Sequence, residues 1–81
     1  MRVTVRLFAR LRDIVGADEL GRDAPANASV KMVWDQLAAE FPDLGAYAAS
    51  ISAAVNADYA RMDARLSDGD EVAFLPPVSG G

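Results

Sequence analysis

The first ten residues alternate between apolar and polar side chains, with apolar residues at positions 1, 3, 5, 7 and 9. This period of two predicts a strand with one buried face. Phe8 breaks the pattern, because it is a large aromatic residue on the polar side of the strand. Leu11, Ile14 and Val15 then stand three and four residues apart and stop at Gly16, which predicts a short helical turn closed by glycine.

The clearest pattern of the chain follows Ser29. Apolar side chains recur with the spacing of one helix face at Val30, Val33, Trp34, Leu37, Ala38 and Phe41. Ser29 is suited to cap the N-terminus of this helix, and Pro42 ends it. We therefore predict a long helix over residues 30–41 whose apolar face is buried in the core.

Shorter strand patterns lie on either side of this helix. Residues 18–22 predict a weak strand, and residues 42–50 predict a loop or loose turn. Apolar residues at positions 51, 53 and 55 alternate again and lead into a turn at residues 56–58. Tyr59 then opens another short strand.

The last strand is predicted at Glu71–Leu75, after an Asp-Gly turn at residues 67–70 that we expect to be an exposed hairpin turn. Phe74 lies on the core side of this strand, and Leu75 on the outward side. The whole order of elements predicts an α+β domain over residues 1–75, with one main helix packed on one face of a mixed sheet.

The composition excludes most enzyme chemistry. The 81 residues include no Cys and no His, so disulfides, thiolate nucleophiles and imidazole acid–base catalysis are absent. The net charge of −4 opposes nucleic-acid binding and favours a protein partner with a basic docking face. No apolar run approaches the roughly 18 residues of a membrane span. We expect a cytoplasmic protein that binds neither nucleic acid nor membrane.

The densest cluster of reactive side chains is formed by Asp68, Asp70 and Glu71. Its Asp-Gly sequence favours a solvated turn, and it lacks the longer ligand series of a calcium loop. The chain also has no glycine-rich phosphate-binding motif. We therefore predict no metal site and no autonomous enzyme.

The sequence ends in FLPPVSGG, and residues 76–81 form a predicted extended tail. Pro76 and Pro77 cannot donate ladder hydrogen bonds, so they release the chain from the sheet. Gly80 and Gly81 have no side chains, so a partner can close tightly around their backbone. The terminal carboxylate is ionised at neutral pH and is a poor electrophile. It would need activation by another protein that binds ATP, most simply as a mixed anhydride with AMP.

Three stretches carry a family resemblance: VRLFARLRDIVG at residues 5–16, AAVNADYA at residues 53–60 and LSDGDEVAFLPPVSGG at residues 66–81. In them the chain resembles the small, ubiquitin-like subunit of molybdopterin synthase, the MoaD-like sulfur carriers, and the related ThiS carrier of the thiamine pathway. The resemblance implies a β-grasp fold, in which the first and last strands lie side by side and the long helix packs across the sheet.

The resemblance also implies a docking patch. It places Phe8 and Leu75 close together on the face away from the helix. In this family, apolar residues at the positions of Phe8, Tyr59 and Leu75 contact the large subunit of molybdopterin synthase. An exposed apolar patch at the base of a projecting tail is typical of such a surface.

A mechanism follows from the same resemblance. An ATP-dependent, E1-like enzyme would adenylate the carboxylate of Gly81, and sulfur would then replace AMP to give a thiocarboxylate. Its sulfur would attack the pterin precursor of molybdopterin, the organic part of the molybdenum cofactor. The tail inside the large subunit's active site would comprise Pro76, Pro77, Val78, Ser79 and Gly80. The chain itself would be a non-catalytic sulfur-donor subunit that binds no cofactor.

Three alternatives stay open. The chain is alternatively a sulfur carrier for thiamine or another thiolated product, or a ubiquitin-like modifier that forms isopeptide bonds with lysines of other proteins. The third alternative is an interaction domain with an inert tail. The resemblance is compatible with both a heterodimeric and a heterotetrameric complex.

Overall fold

The computed structural model of the chain describes residues 1–77. In chain order its elements are β1 (Arg2–Leu7), α1 (Ala9–Val15), β2 (Glu19–Asp23), α2 (Val30–Glu40), a 3-10 helix (Pro42–Tyr47), β3 (Ser52–Val55), β4 (Asp58–Ala60) and β5 (Glu71–Leu75). Within residues 1–77 they form one five-stranded sheet in the order β2-β1-β5-β3-β4. The predicted α+β architecture, with one main helix on a mixed sheet, is confirmed.

The centre of the sheet is the parallel pair β1 and β5. Val5 lies beside Val72, and Leu7 lies beside Phe74. On its other side β5 pairs with β3 in antiparallel fashion. The first and last strands therefore lie side by side, as the family resemblance implied.

α2 covers the inner face of this sheet. Its first residue is Val30, and the Ser29 hydroxyl accepts a 3.2 Å hydrogen bond from the Met32 N–H, so the predicted cap is present. The Trp34 ring lies 5.1 Å from the Phe74 ring, measured between centroids. The buried apolar residues of the core are Val3, Val5, Leu7, Leu11, Ala24, Ala28, Val30, Val33, Trp34, Leu37, Leu44, Ala53, Leu66, Val72 and Phe74.

Where a loop or loose turn was predicted after α2, Pro42–Tyr47 forms a regular 3-10 helix. Pro42 occupies its first turn, where the missing N–H costs nothing. The Leu44 N–H donates to the Phe41 carbonyl at 2.9 Å, and the Leu44 side chain is fully buried. A single leucine between Asp43 and Gly45 gives no period, so the sequence did not reveal this part of the core.

The turn at residues 67–70 is present, but the predicted hairpin is wrong. The Asp70 N–H donates to the Ser67 carbonyl at 3.0 Å, and Gly69 adopts the positive φ of 88° that glycine favours. The strand that follows pairs with β1 and β3 and not with the strand that precedes the turn. A turn motif fixes the local backbone and leaves the pairing partners of the next strand open.

Pro76 and Pro77 follow β5 outside any strand, and Pro77 is exposed. Residues 78–81 lie outside the described residues. The division into a domain over residues 1–75 and a tail over residues 76–81 stays a prediction.

Candidate functional site

The outer face of the sheet carries a row of side chains across four strands. Strand register places Arg6 of β1 beside Ala73 of β5, Ala73 beside Ala54 of β3, and Ala54 beside Tyr59 of β4. Side chains at such paired positions share one face and stand about 5 Å apart. The two central residues are alanines, so the side chains in the middle of the row project less from the sheet than those at its ends.

The short side chains in the middle leave a depression of about 280 Å³ in the outer face. We call it the outer depression. Its lining residues are Phe8, Ala54, Ala57, Tyr59, Glu71, Ala73 and Leu75. The three residues of the predicted docking patch, which are distant in sequence, are thus brought together around one shallow apolar surface.

Phe8 stands at one rim of the outer depression. It immediately follows β1 and keeps an extended backbone with φ of −123° and ψ of 152°, so its side chain continues the alternation of the strand. Phe8 as a whole residue is 38% exposed, and Tyr59 at the other rim is 82% exposed. The prediction that Phe8 lies on the outward side of the strand is confirmed, whereas the strand itself ends one residue earlier.

Charged side chains border the outer depression on the β1 side. The Arg6 guanidinium lies 3.9 Å from a carboxylate oxygen of both Glu19 and Glu71, and 5.6 Å from the centroid of the Phe8 ring. Arg6 Nε is buried and has no hydrogen-bond partner within residues 1–77. Both ion pairs exceed hydrogen-bond distance, so the neighbours position the guanidinium without saturating its donors.

The acidic cluster at Asp68 and Asp70, just before β5, has a structural function. Asp68 accepts a 2.7 Å hydrogen bond from the Arg2 N–H. Asp70 accepts bonds from the Ser67 N–H at 2.8 Å and from the Asn56 amide at 3.0 Å. These bonds, with the backbone donor Ser67 contributing most, lower the pKa of Asp70 below its ordinary value. The two aspartates therefore fix the turn that leads into β5 and are not simply solvated.

A larger groove, of about 370 Å³, lies beside the start of α2. Basic side chains line this groove. The first N–H groups of α2 are not free to bind a ligand there, because those of Val30 and Lys31 already donate to the carbonyls of Ala64 and Met62. The groove shares no lining residue with the outer depression and does not include Leu75, which leads into the tail. We therefore place the candidate site at the outer depression, which Leu75 connects directly to Pro76.

Within residues 1–77, no group of three carboxylates is arranged to hold a metal ion. In the same part of the chain, no helix has both the length and the apolar character needed to cross a membrane. Among the predicted tail residues, Pro76 and Pro77 are described, and Val78, Ser79, Gly80 and Gly81 lie outside the described residues. The outer depression is therefore the part of the predicted site that the structure describes in full.

Sequence reasoning missed the floor of the outer depression. Ala54 and Ala73 are unremarkable in sequence, and their common position depends on the register between β3 and β5. The available signal was an alanine at the central outward position of both strands, next to large residues at positions 8 and 75.

Curated relatives match the chain along nearly its whole length. The molybdopterin synthase sulfur carrier subunit of Escherichia coli (strain K12) is 40% identical, and the match covers 98% of this chain and 99% of the relative. The protein of the same name from Arabidopsis thaliana is 32% identical, with 100% of this chain and 84% of the relative covered.

Solved structures show the same fold. SAMP1 from Haloferax volcanii superposes with a TM-score of 0.85 at 27% identity, covering 100% of both chains. The small archaeal modifier protein 1 of Methanosarcina acetivorans gives 0.83 at 31% identity, with 99% of this chain and 96% of that chain covered. A chain in the complex of subunits 1 and 2 of the molybdopterin-converting factor from Helicobacter pylori 26695 gives 0.69 at 26% identity, covering 100% of both chains.

These likenesses confirm the ubiquitin-like β-grasp fold that the resemblance implied. The model of the ThiS family matches residues 5–81, which is almost the entire chain. Together with relatives above 30% identity over nearly the full length, this match shows the family. The chain belongs to the ThiS family of ubiquitin-like β-grasp proteins.

Proposed function

We propose that this chain is the sulfur carrier of molybdopterin synthesis and acts as the small subunit of molybdopterin synthase. The observation that carries the proposal is the extent of the match. The family model runs through residue 81 and so includes the Gly-Gly end, and the Escherichia coli relative with this function in its name aligns over 99% of its length. A likeness confined to the folded domain would support the fold alone.

The proposed chemistry takes place at the carboxyl group of Gly81. An adenylating enzyme joins this carboxylate to AMP and releases pyrophosphate from ATP. A donor of sulfide-level sulfur then displaces AMP and leaves a thiocarboxylate. Its sulfur forms a bond to a carbon of the pterin precursor as a leaving group departs from that carbon. Water then cleaves the acyl–sulfur bond, which leaves the sulfur on the pterin and returns the carboxylate for another cycle. The chain contributes no acid, base or metal ligand to these steps, in agreement with a sequence that has no Cys and no His.

The outer depression is the proposed contact with the large subunit. Phe8 and Tyr59 are exposed at its rims, and its alanine floor leaves room for an apolar side chain of the partner. Leu75 lies in this surface and is followed directly by Pro76. A subunit seated on the depression would therefore have the start of the tail at its edge. The complex of two subunits from Helicobacter pylori is a precedent for such an assembly in a similar protein.

Mass spectrometry of the intact protein from its native cell tests the proposal. We expect a fraction of the chains to carry one sulfur in place of one oxygen, located in the C-terminal peptide. The thiocarboxylated protein, mixed with a molybdopterin synthase large subunit and the pterin precursor, should yield molybdopterin. A chain lacking Gly81 is the matched control and should yield none. Equal product from both forms, or no product from the thiocarboxylated form, contradicts the proposal.

A second function is favoured by one observation. The Methanosarcina acetivorans protein, 31% identical to this chain, is named a small archaeal modifier protein. A modifier would form amide bonds between Gly81 and lysines of other proteins. Covalent adducts that carry the C-terminal peptide of this chain, together with the absence of sulfur at Gly81, would replace the first proposal by this one. Sulfur at Gly81 without molybdopterin formation would instead indicate a carrier for thiamine or another thiolated product.

A further inference from the structure

We infer that the surface near the start of the tail is kept free of primary amines, so that an activated Gly81 carboxyl group is not captured by its own domain. This inference rests on the proposed activation of Gly81. It starts from the composition: of the eight basic side chains, seven are arginines and Lys31 is the only lysine. The positions of these cations in the fold give that bias a physical meaning.

Arginines occupy the end of the sheet from which the tail leaves. Phe8 and Leu75 line the same depression, and α1 begins directly after Phe8. Arg10 and Arg12 are exposed on this helix. The six residues from Pro76 to Gly81 span at most about 20 Å when extended. The first turn of α1 is therefore within reach of the carboxyl group that becomes activated.

Lys31 belongs to the other layer of the domain. It is the second residue of α2, which packs on the inner face of the sheet, whereas the outer depression opens on the opposite face. Its ammonium group lies 2.6 Å from a carboxylate oxygen of Asp35, and its backbone N–H donates to the Met62 carbonyl. The amino group of Met1 donates to the Ala24 carbonyl at 2.7 Å. Both amines are thus engaged elsewhere in the fold.

Arginine and lysine carry the same charge but differ as nucleophiles. An unprotonated lysine amine attacks an acyl adenylate or thioester, forms an amide, releases AMP or the thiol, and loses a proton. About one lysine amine in a thousand is unprotonated near neutral pH, whereas the guanidinium group of arginine stays protonated. A lysine within reach of the tail would act at an effective concentration on the order of millimolar. Arginine at these positions keeps the charge and removes that side reaction.

The test uses the full-length chain with Gly81 converted chemically to the thioester of 2-mercaptoethanesulfonate, without an adenylating enzyme. Three forms are compared at mildly alkaline pH: the wild-type chain, Arg10→Lys, and the control Arg2→Lys. Arg2 is exposed at the first residue of β1, at the opposite end of that strand from Phe8. Both substitutions preserve charge, so they differ mainly in the position of the new amine. Circular dichroism checks that each variant remains folded.

We expect Arg10→Lys to lose its thioester about tenfold faster than the wild-type chain, at a rate independent of protein concentration. Peptide mapping should find an amide between residues 10 and 81. The wild-type chain and Arg2→Lys should undergo hydrolysis alone. Thioester loss at the wild-type rate in Arg10→Lys, or an intramolecular amide at Lys31 in the wild-type chain, would overturn the inference. Because the thioester is made chemically, failure of enzymatic adenylation would affect the proposed function and leave this test intact.

Discussion

The two faces of the sheet are built from the same strands but differ in the size of their central side chains. On the inner face Val5, Leu7, Val72 and Phe74 fill the space beneath α2 and are fully buried. On the outer face the central positions are alanines, and the large residues stand at the rims with substantial exposure. The inner face is thus completed by the chain itself, whereas the outer face leaves apolar surface that a partner would cover.

The largest contrast between the faces is expected at two adjacent residues of β5. Phe74→Ala should lower the free energy of unfolding by about 3–5 kcal/mol, because it leaves a cavity against Trp34. Leu75→Ala, on the half-buried outer side, should cost about 1 kcal/mol or less. Urea denaturation followed by tryptophan fluorescence measures both. Equal losses would contradict the assignment of the two residues to different faces.

Substitutions on the outer face should weaken binding of the large subunit, whereas substitutions on α2 should not. Phe8→Glu should weaken binding to a molybdopterin synthase large subunit about 30-fold or more, because the proposed interface would have to desolvate a carboxylate in place of an apolar ring. Met32→Glu is the matched control, since Met32 is 45% exposed on α2 in the opposite layer. Isothermal titration calorimetry compares the two variants. Loss of binding in both, or in neither, would show that the docking surface is misplaced.

The turn at residues 67–70 leads into β5, and its contribution to the free energy of unfolding should depend on pH. The lowered pKa of Asp70 means that its ionised form stabilises the fold above the ordinary aspartate pKa of about 3.9. That stabilisation is lost as the pH falls through the lowered folded-state value. Asp70→Asn should cost about 1 kcal/mol at neutral pH and flatten the acid limb of the stability profile.

Asp13→Asn is the control for this experiment, because Asp13 is an exposed acid on α1. It should leave the acid limb of the profile unchanged. Thermal unfolding measured at a series of pH values distinguishes the two variants. An unchanged acid limb in Asp70→Asn would show that the hydrogen bonds from Ser67 and Asn56 contribute nothing to folding.

The smallest expected effect concerns backbone strain next to the outer depression. Asn56 and Ala57 form the two-residue turn between β3 and β4, with φ of 49° and 73°. Positive φ at both positions is typical of a type I′ turn, which favours glycine at the second. Ala57→Gly should therefore raise stability by about 0.5–1 kcal/mol.

Gly69→Ala tests the same effect of a positive φ angle in the opposite direction. Gly69 has a φ of 88°, and a Cβ atom there would meet no neighbour within 4 Å, so its cost is conformational alone. It should lower stability by about 1 kcal/mol. Changes of the same sign in both variants, measured by urea denaturation, would show that the strain does not lie in these dihedral angles.

Periodic patterns predicted the elements whose burial repeats along the sequence. β1 and α2 were predicted because their core residues recur at the spacing of a strand and a helix, and Phe8 was singled out because it violated the first of these patterns. Leu44 was missed since its burial depends on the path of the chain over the core and not on a local period. The hairpin expected at residues 67–70 failed for a similar reason, because strand pairing is a property of the whole sheet.

The candidate site was predicted at its rims and not at its floor. Phe8, Tyr59 and Leu75 are large apolar residues at positions that the pattern or the family resemblance marked. The alanines between them become meaningful once the register aligns β1, β5, β3 and β4. The position of Arg6 between two glutamates likewise depends on side-chain placement across three strands. The alternation within a strand indicates which of its residues share a face, and it does not indicate which residues of two strands are paired.

The central position of β5 also bears on how the protein is made. Synthesis proceeds from the N-terminal side, so β1 is made long before β5 and has no parallel neighbour until residues 71–75 have emerged. Pairing between strands so far apart in sequence closes a long loop, which in general slows folding. A chain that lacks residues 71–75 therefore cannot close the sheet, because β5 is the strand that joins β1 to β3.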